Sequence, residues 1–198
     1  FCSVDSQGMS GLYQVTEKDN KIFILIDSDF LRILFSDSFL KGFLTALCAV
    51  RPAAAGIFEN YSPLWNLSNN AIGRDLISKC LLELLSEECC TQFITALCAI
   101  LPIGPYKNLS VLHVLSWYPM GLEIIFYCLE TLKKEEFRAQ FIKALCITRP
   151  GNLCSNSSAI YYLHRYERGV NILCACIDIL LSQQSYRAQF IEALCSLV

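Results

Sequence analysis

The sequence predicts an all-α protein, a helical solenoid of about four repeats of about 48 residues with three helices in each. Three observations predict it. A hexapeptide recurs at Phe43–Cys48, Phe93–Cys98, Phe141–Cys146 and Phe190–Cys195, with its cysteines 50, 48 and 49 residues apart. Self-similarity at a fixed period of this size marks a stacked repeat array. Apolar residues inside each period fall at helical spacing, and no segment shows the period-two alternation of a half-buried strand. Ile22-Phe-Ile-Leu-Ile26 is the sole apolar run of strand type, and it lies in the first, worn copy.

The units are residues 1–52 (degenerate), 53–102, 103–150 and 151–198, read as one array over 1–198. Each clear copy opens at a serine: Ser62, Ser110 and Ser158, spaced 48 residues apart. A serine hydroxyl can accept from a free amide of a first helical turn, so these are N-caps of a short first helix. Leu64 and Leu67 lie on one of its faces. The chain is expected to turn near Gly73, Gly121 and Gly169 into a second helix. There Leu76, Ile77, Cys80, Leu81, Leu84 and Leu85 form an i, i+3, i+4, i+7 stripe. Lys79, Glu83, Glu130, Lys133 and Lys134 mark its outer face. A polar elbow (Ser86-Glu-Glu88, Lys134-Glu-Glu136, Ser182-Gln-Gln184) leads to the third helix, which carries the hexapeptide. That helix is expected to stop at the prolines Pro52, Pro102 and Pro150, because the residue before a proline is biased away from helix.

Composition sets the outer limits. The chain has 198 residues, 54% hydrophobic and 17% charged, with a net charge of −2. A balance this apolar feeds a substantial core. It carries no basic footprint of the kind nucleic acid requires, so no nucleic acid partner is expected. The longest charge-free run, between Glu88 and Lys107, is broken by Pro102, Gly104 and Pro105. A spanning helix needs about 20 apolar residues without such breaks, so no membrane span is expected. Residues 1–20 are polar and lack the apolar stretch of a signal peptide. The start at Phe1, inside a worn repeat, is read as that of an excised fragment.

The twelve cysteines are mostly repeat positions. Cys48, Cys98, Cys146 and Cys195 share one, and Cys80, Cys128 and Cys176 share another. Buried cysteine packs as a small hydrophobe, so these seven are expected in the core. Free thiols imply a reducing compartment, the cytoplasm. The Asn-x-Ser sequons at Asn60, Asn66, Asn108 and Asn156 are read as turn and cap chemistry, not as glycan acceptors.

Ser62-Pro-Leu-Trp65, then Leu67-Ser68, a glycine, and Leu76-Ile77 with Leu81-Leu82 resembles the ankyrin repeat, whose pattern is Thr-Pro-Leu-His, Ala-Ala, Gly and a Val-Val…Leu-Leu second helix. His113 stands at the family's histidine position. The resemblance covers about half of each clear copy. The period departs from the family's 33 residues. Leu67-Ser68, Leu115-Ser116 and Leu163-His164 replace the two alanines, a residue is inserted before the glycine, and a third helix is added. Leucine- and cysteine-rich arrays of this style look like those in effectors that intracellular bacteria inject into host cells. The resemblance therefore implies a protein partner, which in the effector setting is a host protein met in the host cytosol.

Catalytic and metal chemistry find few candidates. A thiolate nucleophile needs a base beside it. The chain has two histidines, His113 at a core repeat position (Trp65 and Tyr161 elsewhere) and His164 at a surface one. Cys2, Cys89, Cys90, Cys154 and Cys174 lie outside the register, in no nucleophile motif. Cys174-x-Cys176 and Cys89-Cys90 are too close for a zinc pair, and no Gly-rich phosphate loop is present. No catalytic residue, metal or cofactor is therefore assigned.

Function is expected where copies differ. The end of the short helix reads Asn69-Asn70, then Trp117-Tyr118, then Arg165-Tyr166. Tyrosine, tryptophan and arginine are enriched in interface hot spots, so these six residues are the candidate partner-binding set. The long loops 53–61, 103–109 and 151–157 are the second variable place. The expected function is a non-catalytic protein-interaction module. The alternative is an accessory or targeting part of a larger enzyme, and self-association through open repeat ends is a further expectation.

Overall fold

The computed structural model describes residues 37–51, 60–102, 104, 106–149 and 157–195. The strand-type run Ile22–Ile26, the opening of the worn copy, most of the long loops, Cys2 and Cys154 lie outside the described residues. Among the described residues the protein is all-helical, with eleven α-helices and one isolated bridge between Arg149 and Ser157.

The chain divides into two compact units, Phe1–Leu97 and Cys98–Val198. The first holds α1 (Asp37–Cys48), α2 (Pro63–Ser68), α3 (Ala71–Lys79), α4 (Leu81–Leu84) and all but the last residue of α5 (Cys90–Cys98). The second holds α6 (Val111–Leu115), α7 (Pro119–Leu132), α8 (Glu135–Cys146), α9 (Ala159–Leu163), α10 (Glu167–Ser182) and α11 (Gln184–Cys195).

The short helices α2, α6 and α9 begin directly after Ser62, Ser110 and Ser158. Ser62 Oγ accepts from the Trp65 amide at 3.3 Å and Ser110 Oγ from the His113 amide at 3.2 Å. Ser158 makes no such side-chain bond. The sequon asparagines Asn60 and Asn108 adopt left-handed backbone, φ 63° and 64°. Asparagine tolerates that conformation, and the serine two residues on caps the helix.

Three expectations about boundaries are corrected. Gly73, Gly121 and Gly169 are inside the second helix, not at the turn before it. The turn comes at the variable pair, and the glycine is where the second helix crosses the first. A Cβ on Gly121 would lie 2.8 Å from Leu115 Cα, and on Gly73 2.6 Å from Leu67 Cα. Only glycine allows so close a backbone approach. Next, the hexapeptide helices end at Cys48, Cys98 and Cys146, well before the prolines. The residue before each proline is instead tied to the far side of its loop. Arg51 N–H donates to Tyr61 O at 2.9 Å, Leu101 N–H to Leu109 O at 2.8 Å, and Arg149 N–H to Ser157 O at 3.0 Å. Third, the second helix of the copy at 53–102 is split into α3 and α4 around Cys80, while α7 and α10 run unbroken. Nothing in the structure explains the split.

The core is built from the repeated positions. Phe43, Phe93 and Phe141 are fully buried, as are Leu64, Leu112 and Ile160, and Leu67, Leu115 and Leu163. In the second unit α6 packs against α9, α7 against α10 and α8 against α11, so each helix meets its counterpart in the next copy. Cys48, Cys80, Cys98, Cys128, Cys146 and Cys176 are buried, but Cys195 is exposed, against expectation. Its neighbours Ile191 and Leu194 are exposed too, whereas Ile142 and Leu145, one copy earlier, are fully buried. The reason is packing: α8 has α11 against it, and among the described residues no helix covers that face of α11.

Candidate functional site

The variable pairs all occupy the elbow between the short helix and the second helix. In the first unit, Asn69 is the C-cap of α2, and its amide donates to Trp65 O at 3.0 Å. Asn70 is the N-cap of α3, its Oδ1 accepting from the Ile72 amide at 2.9 Å. Both are thus engaged in joining two helices.

In the second unit the structure brings Trp117, Tyr118, Arg165 and Tyr166 to adjacent elbows. Tyr166 O–H lies 3.5 Å from the Trp117 carbonyl, across 49 residues of sequence. Arg165 and Tyr166 are exposed, while Trp117 and Tyr118 are half-buried. Trp117 packs on Tyr162 at 5.7 Å, on Tyr118 at 6.3 Å and edge-on to His113 at 5.8 Å between ring centroids. Its indole Nε1 is buried with no hydrogen-bond partner among the described residues. The groups offered outward are therefore Tyr118, Arg165 and Tyr166, on a floor of aromatic rings packed tilted and edge-on.

The sequence reading missed the exposed aromatic surface of α7. Tyr127 is 69% exposed, with Met120 and Phe126 also exposed. Arg168 of α10 lies 4.3 Å above the Phe126 ring and donates through Nε and Nη2 to Glu123, both at 2.8 Å. The signal was present: Phe126-Tyr127 stand off the buried stripe, where the other copies have Ser78-Lys79 and Cys174-Ala175.

It also missed a groove that recurs in each unit between the ends of consecutive third helices. In the first unit Thr45, Cys48, Gln92 and Thr95 line it, and in the second Lys143, Cys146, Gln189 and Glu192 line it at the equivalent positions. Thr45, Thr95, Lys143 and Glu192 fill the position of the hexapeptide that changes most from copy to copy.

His113 is fully buried. Neither ring nitrogen has a hydrogen-bond partner among the described residues. Burial pushes its pKa down to about 3, and the positive Arg149 adds to the effect. The imidazole is therefore neutral and shut from solvent. Its ring contacts are aromatic, Trp117 and, at 5.5 Å, Tyr162. His164 is exposed and stacks edge-on with Tyr161 at 5.4 Å. The repeat thiols are held protonated by burial, Cys80, Cys146 and Cys176 being pushed up to about 12. A thiol so shifted is a poor nucleophile and a poor metal ligand at neutral pH. No group of three or more His, Cys, Asp or Glu side chains placed to hold a metal occurs among the described residues. No helix among them is long and apolar enough to cross a membrane.

Fold and site together define a chain that is all-helical among the described residues, with half-buried and exposed aromatic side chains on its second unit. Neither protein-family models, curated proteins nor solved structures yield a match to it.

Proposed function

We propose that this chain is a non-catalytic protein-interaction module. Its architecture in this reading is a solenoid of about four ankyrin-like units, each extended by a third helix. It holds one protein partner through the elbows and inter-repeat loops, with Asn69, Asn70, Trp117, Tyr118, Arg165 and Tyr166 as the contact set. One observation carries the reading. Repeated positions such as Phe43, Phe93 and Phe141 or Leu67, Leu115 and Leu163 are buried, while of the elbow positions that vary between copies Asn69, Arg165 and Tyr166 are exposed and Asn70, Trp117 and Tyr118 half-buried. A repeat core held constant under a changing surface is how stacked repeats make binding faces. The exposed aromatics of α7 enlarge that face and suit a hot spot. Free thiols at core positions suit a reducing compartment, the cytoplasm or, for a bacterial effector, the host cytosol. The partner is then a host protein.

The test is affinity capture from host-cell lysate read by mass spectrometry. Wild type is compared with a variant carrying Tyr118→Ala, Arg165→Ala and Tyr166→Ala, its fold verified by circular dichroism. One protein captured by wild type and lost from the variant is the expected result. Equal capture moves the site to the third-helix grooves or the loops, and no specific capture counts against the module.

A second reading is favoured by one observation, the apolar face of α10 and α11. Val170, Ile177, Ile191 and Leu194 are exposed there, while Leu122, Leu129, Ile142 and Leu145 one copy earlier are buried. Such a face suits stacking on a second copy or on the catalytic domain of a larger enzyme. Sedimentation of wild type and an Ile191→Glu/Leu194→Glu variant separates the two. A dimer that the variant loses supports self-association, and a monomer in both leaves the enzyme-accessory reading.

A further inference from the structure

The position of His113 is unusual within its own repeat. The equivalent residues are Trp65 and Tyr161, neither of which gains charge in acid. The first unit supplies the comparison. Trp65 N–H donates to Ser62 Oγ, and its carbonyl accepts from Ser68 Oγ at 2.7 Å. His113 makes the same two bonds, its N–H to Ser110 Oγ at 3.2 Å and its carbonyl from Ser116 Oγ at 2.6 Å. The residue is thus the hub of a five-residue helix, α6, that begins and ends on its capping bonds. A helix this short depends on tertiary packing for its stability.

The ring itself is packed among Trp117 and Tyr162, with both nitrogens unpartnered among the described residues. No acidic side chain among the described residues compensates it. Of the elements packed on α6, α9 sets Tyr162 against the ring, and α7 has its Glu123 paired with Arg168. Past the end of α8, Arg149 adds a positive charge that acts on the imidazole, and it is the one charged group that does so among the described residues. A proton placed on this ring would be a buried cation with a like charge beside it and no anion among the described residues. Such a group leaves the interior instead of charging in place.

We propose that His113 is an acid-responsive latch: its protonation expels the ring, unpacks the Trp117–Tyr162 floor and opens the second unit's elbows, while the first unit, with Trp65 at that position, stays closed. The disturbance has a short path to the surface. Trp117 lies just past the C-cap Ser116 of α6, packs at a tilt against Tyr118, and accepts through its carbonyl from Tyr166. Loss of a partner held at Tyr118, Arg165 and Tyr166 in acid rests on the interaction reading above. The opening itself does not, and the experiment reads the opening alone.

Hydrogen exchange of the full chain, read by mass spectrometry and corrected for intrinsic rates, tests it between pH 7.5 and pH 4.5. An opened His113 titrates at its ordinary 6.5. Protection of segments 111–118 and 159–166 should therefore fall about a hundredfold over that range. Segment 63–70 should not respond. His113→Tyr and His113→Trp, the residues the repeat itself uses, should abolish the response in the second unit. Trp65→His should import it into the first. Equal acid sensitivity of wild type and the His113 variants, or protection of 111–118 that does not change with pH, overturns the proposal. If neither His113 variant folds, a Trp65→His chain that gains no acid response overturns it equally.

Discussion

Gly121→Ala sets two physical effects against each other and decides between them by sign. Alanine is the better helix former, and inside a helix the exchange favours folding by about 1 kcal/mol. Gly121 is the third residue of α7 and is buried. The added Cβ would stand 2.8 Å from Leu115 Cα and 2.7 Å from its carbonyl carbon, with the carbonyl oxygen closer still. Carbon atoms pack at about 3.5 Å or more, so α6 and α7 must part by roughly 1 Å. The obstructing atoms are backbone, which no rotamer change can move aside. Overpacking of this kind costs about 1–3 kcal/mol, and a backbone obstacle belongs at the upper end. The net expectation is a loss of about 2 kcal/mol. Urea denaturation followed by far-ultraviolet circular dichroism measures it. Gly73→Ala and Gly169→Ala should share the sign, since Leu67 and Leu163 obstruct them alike. A gain of about 1 kcal/mol in Gly121→Ala would mean that propensity rules at this site and that the helices do not cross so closely.

Two further outcomes are expected. Ser110→Ala should cost about 1 kcal/mol through loss of its cap, while Ser158→Ala, whose buried hydroxyl has no partner among the described residues, should be neutral or slightly stabilising. Thermal unfolding of the two variants compares them directly. Stability should also fall as the pH rises above 9.0, the ordinary thiol value, because the unfolded chain then releases protons that buried Cys80, Cys146 and Cys176 retain. Cys176→Ala should make that fall shallower by about 1 kcal/mol per pH unit in denaturant titrations, and an unchanged slope would mean that the thiol is not buried as a neutral group.

The candidate site was legible as positions more than as roles. Comparing copies located the elbow pairs at 69–70, 117–118 and 165–166, and the structure places them between the short and second helices. What each residue does there differs. Asn69 and Asn70 are consumed largely by capping, and Trp117 by the aromatic floor, which leaves Tyr118, Arg165 and Tyr166 facing outward. Sequence could not separate these roles, because the Trp117–Tyr162 ring contact and the Tyr166–Trp117 bond join different copies. The α7 aromatics could have been found from the lack of counterparts in other copies, a signal overshadowed by the charged residues nearby.

The sequence by itself determined that the chain is helical and which face of most helices turns inward, though not every helix boundary. Serine caps, apolar spacing and the recurring Phe and Leu are local or periodic features, so each copy repeats the same instruction. That is why Phe93 and Phe141, or Leu115 and Leu163, are equally buried. Only the tertiary structure decided what lies against those faces. The glycines resemble turn residues until the Leu67, Leu115 and Leu163 backbones are seen pressed against them. Cys146 and Cys195 share one repeat position, yet one is buried and the other exposed. Periodicity fixes the face a side chain occupies, but burial is a property of the neighbour that covers that face, and the neighbour belongs to another part of the chain.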